Sequence, residues 1–187
     1  MLGGSFNPAH DGHLHISLAA LKSLRLDQVW WLVSPQNPLK PKQGMRSQDR
    51  RLADARNIVR HPRIRVTGME SLWGTRFTAD TLKQLRRRFP RTRLVWLMGA
   101  DNLKQIARWD RWLSIFRSVP VAVFDRSPYS QEAMASKAAK RFSRFRLTSA
   151  GRLATMTPPA WIFMHIKTHP ASATAIRRGL MYLGGTE

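Results

Sequence analysis

Two histidines three residues apart, His10 and His13, close the stretch GGSFNPAHDGH at residues 3–13. Imidazole N–H groups on one side of a first helical turn can donate to phosphate oxygens. A helix beginning near Gly12 adds free backbone N–H groups and a positive dipole end. Gly3 and Gly4 allow a close backbone approach that a Cβ forbids, and Asn7-Pro8 sets a turn just ahead of the helix. The stretch reads as a phosphate-binding turn; a glycine turn with a surface histidine pair is the plainer alternative. Two other stretches carry related chemistry. In SATAIR (172–177), Ser172 can cap a helix whose N–H groups meet a second set of phosphate oxygens together with the Thr174 hydroxyl and the Arg177 guanidinium, or the stretch is a capped surface helix. In MGADNL (98–103), Gly99 leaves room for a ligand and the Asp101 carboxylate can accept from ribose hydroxyls, or cap a helix.

Such turns need strands to hold them. Residues 28–34 (QVWWLVS) are β-branched and aromatic between Asp27 and Pro35 and predict a buried strand. Further strands are predicted at 63–67, 93–98 (RLVWLM), 119–124 and 161–166 (WIFMHI). Residues 78–88 (TADTLKQLRRR) predict a helix with Thr78 as its N-cap, Asp80 in its first turn, and Leu82 and Leu85 on one face. Helical pattern recurs at 103–116 and 131–142. Strand and helix in alternation imply an α/β fold: a Rossmann-like, mostly parallel sheet flanked by helices. Ligands in such sheets lie beyond the carboxyl ends of the strands, where the opening stretch belongs and where Gly99 and Asp101 follow RLVWLM.

Length and composition set the frame. A chain of 187 residues, 43% apolar and 23% charged, is expected to form one domain over 1–187 with its own core. No apolar run approaches the ~20 residues of a membrane helix and no signal-peptide pattern opens the chain, so a cytoplasmic protein without a membrane partner is expected. With no cysteine, disulfides, thiol nucleophiles and thiolate metal sites are excluded. The net charge of +21 attracts polyanions and phosphorylated metabolites alike. Basic groups such as Arg86 to Arg88 lack the interleaved aromatic side chains of a single-strand groove. They read as a solvated face, so no specific nucleic-acid partner is expected; a homo-oligomer stays open.

The match GxFxPxHxGH, carried by Gly4, Phe6, Pro8, His10, Gly12 and His13, resembles the signature of the nucleotidyltransferase superfamily, which moves a nucleoside monophosphate from a triphosphate to a phosphorylated acceptor. SPQNPLK (34–40), MGADNL with Trp109, and SATAIR resemble the bacterial nicotinate mononucleotide adenylyltransferases in order and spacing, over nearly the whole chain. WGTRFTADTL (73–82) follows their (Y/F)TxxTL pattern around Thr78 and Thr81. The resemblance implies transfer of AMP from ATP to nicotinate mononucleotide, with Mg²⁺ held mainly by the ATP phosphates and no protein metal site. It implies catalytic roles for His10, His13 and Arg177. ATP binding would fall to Gly4, Ser5, Phe6, His10, Gly12, His13, Ser172, Thr174, Ile176 and Arg177, with SATAIR gripping the leaving pyrophosphate. The acceptor would meet Asn7, Lys40, Thr78, Gly99, Asp101 and Trp109. Lys40 can place a point charge on the acceptor phosphate or be an ordinary exposed lysine, and Trp109 can stack on a pyridine ring or belong to the core.

One departure stands out. Only Met1 and Leu2 precede Gly3, where a strand usually has about 5 residues, so a truncated first strand or a late-assigned start is expected. Phosphopantetheine adenylyltransferase, which shares the opening motif, and a basic nucleic-acid-binding domain are the alternative readings.

Overall fold

Six short, mostly apolar segments line up as parallel strands because each is followed by a helix that returns the chain to the starting edge. The computed structural model describes residues 1–35, 44–126, 129–167, 169–171, 173–177 and 179. The strands are β1 (Leu2–Gly4), β2 (Val29–Val33), β3 (Ile64–Thr67), β4 (Trp96–Gly99), β5 (Val121–Phe124) and β6 (Trp161–Met164). Their order across the sheet is β3-β2-β1-β4-β5-β6, and every pairing is parallel. The chain therefore winds outward from β1 in one direction, returns, and winds outward from β4 in the other. The crevice beyond the carboxyl ends of β1 and β4 is the switch point of such a sheet.

The helices are α1 (Asp11–Ser23), α2 (Gln48–Ile58), α3 (Met69–Leu72), α4 (Thr78–Arg88), α5 (Ala100–Gln105), α6 (Trp112–Ser118), α7 (Ser130–Met134), α8 (Lys137–Arg141) and α9 (Ala173–Arg177). Strand side chains alternate between two cores, as a pleated strand covered on both faces requires. Trp96 and Met98, Val121 and Val123, and Trp161 and Phe163 meet Leu82 and Leu85 of α4, Leu103 of α5 and Phe116 of α6. Leu97, Ala122, Phe124 and Ile162 face the opposite side with Leu21 of α1 and Ala55 of α2.

The first strand, Leu2–Gly4, sits in the middle of the sheet. It pairs with β2 over Leu2, Gly3 and Gly4 and with β4 at Leu2. Gly3 has no room for a side chain, because the Trp96 indole lies where its Cβ would be.

Three expectations need correction. The helix at 78–88 has the expected extent, but its N-cap is Phe77; Thr78 is the first helical residue and makes no cap bond. The helical stretch 103–116 is broken, ending as α5 and a 3-10 turn at Ile106–Arg108 before Arg111, at φ 46°, starts α6. The Arg111 guanidinium grips the Asp80 carboxylate at 2.9 and 2.7 Å, which ties α6 to α4 and holds that break. The stretch 131–142 is likewise split, because Ser136 accepts from the Ala139 N–H at 3.3 Å and caps a second helix.

Candidate active site

β1 delivers the GGSFNPAH turn to the switch point, and the turn is tightly determined. Phe6 stands in the left-handed region at φ 46°, a conformation costing on the order of 1–3 kcal/mol for a bulky residue. Its buried ring stacks on Trp31 at 5.0 Å and packs tilted against His13 at 4.7 Å, contacts that hold it there. The Asn7-Pro8 peptide is cis. His10 then caps α1, its carbonyl accepting from the His13 N–H at 2.8 Å.

The two histidines come together as their spacing implies, with ring centroids 3.9 Å apart. The His10 N–H donates to His13 Nδ1 at 3.2 Å, which makes Nδ1 the acceptor and leaves the His13 proton on Nε2 in the neutral ring. Behind it, the buried Trp31 indole donates to Ser17 Oγ at 2.7 Å, and Ser17 donates to the His13 carbonyl at 2.8 Å. His10 is itself buried, and its Nδ1 takes no hydrogen bond from the described residues. Burial, then the charges of Arg126 and His169, push its pKa down to about 4, so the ring is neutral at pH 7. Gly12 is the space that the His10 ring needs: a Cβ there would fall 2.9 Å from His10 Nδ1 and 3.1 Å from the Ala171 carbonyl.

Arg51 of α2 is the residue that sequence reasoning missed. Its side chain is fully buried, and among the described residues its partners are all backbone carbonyls: Ser5 at 2.6 Å, Ser34 at 2.8 Å, Pro35 at 2.7 Å and Arg46 at 3.0 Å. Burial lowers its pKa, yet a guanidinium stays charged. One cation thus staples the turn after β1 to the segment after β2 and to the start of α2. No motif announces it; a lone arginine in a polar helix looks like surface. Asn7 serves the same join, donating from Nδ2 to the Gly44 carbonyl at 2.9 Å and accepting the Arg46 N–H at 3.2 Å.

β4 supplies the other wall. Gly99 is the N-cap of α5, and Asp101 lies in the first turn and does not cap it. Asp101 Oδ2 accepts from Arg126, just past β5, at 3.3 Å, while its buried Oδ1 takes no hydrogen bond from the described residues. A side chain on Gly99 would overlap that Oδ1, so this glycine makes room for the protein's own carboxylate. Arg126 is the second residue the sequence did not single out.

The C-terminal stretch returns to the same place. Arg177 donates to the Asn7 carbonyl at 2.6 Å and to Thr174 Oγ1 at 3.3 Å, so residues 170 positions apart in the chain meet at the turn after β1. Ile176 lies within α9. Lys40 and Ser172 lie outside the described residues. Trp109 packs half-buried against the core beside α5 and α6, and Thr78 opens α4. Thr81 is buried in that helix, donating to Glu70 Oε1 at 2.8 Å and lying 3.0 Å from the Thr75 hydroxyl. Burial pushes the Glu70 carboxyl up to about 6.

A parallel sheet in this order, with a histidine pair and two arginines beyond its switch point, defines a nucleotide-handling α/β protein. Residues 1–179 match the family described as cytidylyltransferase-like, and the chain belongs to that family. More particularly, it is 54% identical over 177 residues, covering 95% of both chains, to a protein of Cereibacter sphaeroides named probable nicotinate-nucleotide adenylyltransferase. A protein of the same name from Parvibaculum lavamentivorans is 51% identical over 179 residues, 95% of this chain and 89% of its own. Among solved structures, the fold resembles Plasmodium falciparum nicotinic acid mononucleotide adenylyltransferase complexed with APC, at a TM-score of 0.70 and 15% identity over 95% of this chain and 80% of that one. No helix among the described residues is long and apolar enough to cross a membrane.

Proposed function

We propose that the chain is a nicotinate-nucleotide adenylyltransferase of NAD biosynthesis, transferring AMP from ATP to nicotinate mononucleotide and releasing pyrophosphate. The observation that carries this reading is the convergence of His10, His13, Asp101, Arg126 and Arg177 on the β1/β4 crevice. It occurs in a chain about half identical to proteins named for that activity.

The reaction asks little covalent chemistry of the protein. An oxygen of the acceptor phosphate attacks the α-phosphorus of ATP in line, the bond from that phosphorus to the bridging oxygen breaks, and pyrophosphate leaves with the electron pair. No proton has to move, so catalysis is positioning and charge neutralisation. The triphosphate rests on the turn from Gly4 through Ser5 and Phe6 to His10 and on the N-terminus of α1 at Gly12. His13, its proton left on Nε2 by the bond at Nδ1, donates to the α-phosphoryl oxygens as their charge grows. His10 is the second donor. Arg177 and Thr174, with Ile176 and Ser172 in the same stretch, take the departing pyrophosphate.

The acceptor lies against the β4 side. Gly99 and Asp101 meet its ribose, Trp109 the pyridine ring, and Thr78 and Lys40 the carboxylate and phosphate ends. Asn7 acts on it by fixing the segment at Gly44 and Arg46. Mg²⁺ would arrive as part of the ATP complex, held by phosphates and water.

The test is pyrophosphate release from Mg-ATP with nicotinate mononucleotide, nicotinamide mononucleotide or phosphopantetheine as acceptor. Release with the first well above the other two, with a product of the mass of deamido-NAD, is expected. Preference for phosphopantetheine would move the chain to the neighbouring reaction, and silence with all three would remove the enzyme assignment.

A further inference from the structure

An all-parallel sheet sends every helix C-terminus and every strand N-terminus to one edge, the edge opposite the catalytic crevice. The five segments that run there, residues 22–28, 56–63, 86–95, 117–120 and 140–160, hold half of the chain's 32 basic residues and one of its 11 acidic ones, Asp27. The face is continuous. The Val29 N–H bonds the Arg63 carbonyl at 2.8 Å, the Trp96 N–H the Pro120 carbonyl at 2.9 Å, and the Val121 N–H the Ala160 carbonyl at 3.0 Å, so neighbouring segments touch across the sheet. Segment 140–160 folds back as well: the Leu147 N–H bonds the Trp161 carbonyl at 2.7 Å, and a Cβ on Gly151 would lie 3.8 Å from Arg25 Nε.

Helix dipoles favour cations in a last turn, which accounts for Lys22, Arg56 and Arg86 to Arg88. That field falls off within the turn. It leaves unexplained Arg60, Arg63, Arg91 and Arg93, all exposed and all past a helix end, while Arg144 and Arg152 add exposed charge from the short 3-10 turns Ser143–Phe145 and Ala150–Thr155. Like charges at this density repel one another in the free protein, and a polyanion relieves them.

We infer that this edge is a second binding surface, separate from the active site, for the phosphate backbone of double-helical nucleic acid. Arginine dominates it, and the guanidinium fork matches phosphate oxygens. The exposed large apolar residues of the described chain, Leu18, Leu72 and Tyr129, all lie outside these segments. Without apolar side chains to insert, the face suits no lipid interface, and without exposed aromatic platforms it suits no unstacked single strand. Recognition is then of charge and shape, without sequence preference.

The experiment is fluorescence-anisotropy titration of the whole chain with a labelled 20-base-pair duplex across salt concentrations. It is repeated with the triple variant Arg91→Gln, Arg93→Gln, Arg144→Gln and with the charge-matched control Arg65→Gln, Arg76→Gln, Lys83→Gln. Neutralising about five phosphates gives a slope near −4.5 in log K against log salt, roughly 500-fold weaker binding at 200 mM than at 50 mM. The face triple should flatten that slope by two or more and weaken binding at 50 mM at least tenfold. The control should change it less than threefold, and adenylyl transfer should be unchanged in both triples. Absence of duplex binding at 50 mM salt, equal losses in the two triples, or capture by phosphatidylserine vesicles but not by duplex would each overturn the proposal. Activity of the unsubstituted chain is read separately, so failure here leaves the enzymatic reading standing.

Discussion

A methyl group added at position 4 and one added at position 12 meet different neighbours. At Gly12 the Cβ presses on the His10 ring and the Ala171 carbonyl; at Gly4 its nearest neighbours are atoms of the Phe6 ring, from 3.4 Å outward. No described residue forbids a side chain at 4, and under the proposed function the glycine there leaves room for the approach of the triphosphate. Gly4→Ala is therefore expected to keep its melting temperature within about 2 °C and to raise the Michaelis constant for ATP at least tenfold. Gly12→Ala should displace His10, destabilise the fold by about 1–3 kcal/mol through overpacking, and lower turnover. Melting curves beside steady-state kinetics separate the two; the same pattern in both variants would contradict this division. The histidine pair was legible in the sequence because its spacing matches one helical turn. The steric reason for Gly99 was not, because the group lying where its Cβ would be is the Asp101 carboxylate of its own chain.

Elements are joined by groups with no sequence signature. The chain offers 32 basic residues, and nothing in their spacing marks Arg51 as the one that is buried. The helix that carries it, α2, was not anticipated either, because only Arg51 and Ala55 of its 11 residues are buried and no apolar stripe marks it. Arg51→Lys replaces a planar fork on four carbonyls by a point charge able to satisfy about two or three of them. Each buried carbonyl left unpaired costs about 1–3 kcal/mol. Expected are a lower melting temperature and at least a tenfold loss in kcat/KM, with the glutamine variant no better. Wild-type kinetics in the lysine variant would show that the staple does not position the turn. The strands, by contrast, were readable as elements, since each is an apolar run between turn residues. Their ends came out shorter than their apolar runs, because residues such as Val95 and Val119 pack in the core without entering the ladder.

At the scale of the whole molecule, two buried groups give stability opposite pH dependences. His10 resists protonation in the fold, with a pKa of about 4 against 6.5 unfolded, so stability falls as pH drops from 6.5 toward 4. Glu70 binds its proton more tightly in the fold, at about 6 against 4.5 unfolded, so its contribution is lost as pH rises from 4.5 through 6. Glu70→Gln removes the second dependence. The variant should gain about 2 kcal/mol relative to the parent on going from pH 4.5 to pH 8, less whatever the amide loses at Thr81. Urea melts at the two pH values would read this, and a parent-to-variant difference that is flat with pH would contradict it. The order of strands was only partly foreseeable: alternation of strand and helix implies a parallel sheet, but which strand lies beside which is decided by packing on two faces. Arg177 reaching the Asn7 carbonyl is a consequence of that order, invisible from spacing along the chain.

The most direct test is adenylyl transfer from Mg-ATP to nicotinate mononucleotide by the unsubstituted chain and by His13→Ala, each at saturating acceptor. The unsubstituted chain should form deamido-NAD. The variant's kcat should fall at least about 100-fold while its KM for ATP moves less than about threefold, the mark of an interaction made in the transition state. A loss that appears only in KM, or an unsubstituted chain that forms no dinucleotide, would contradict the account.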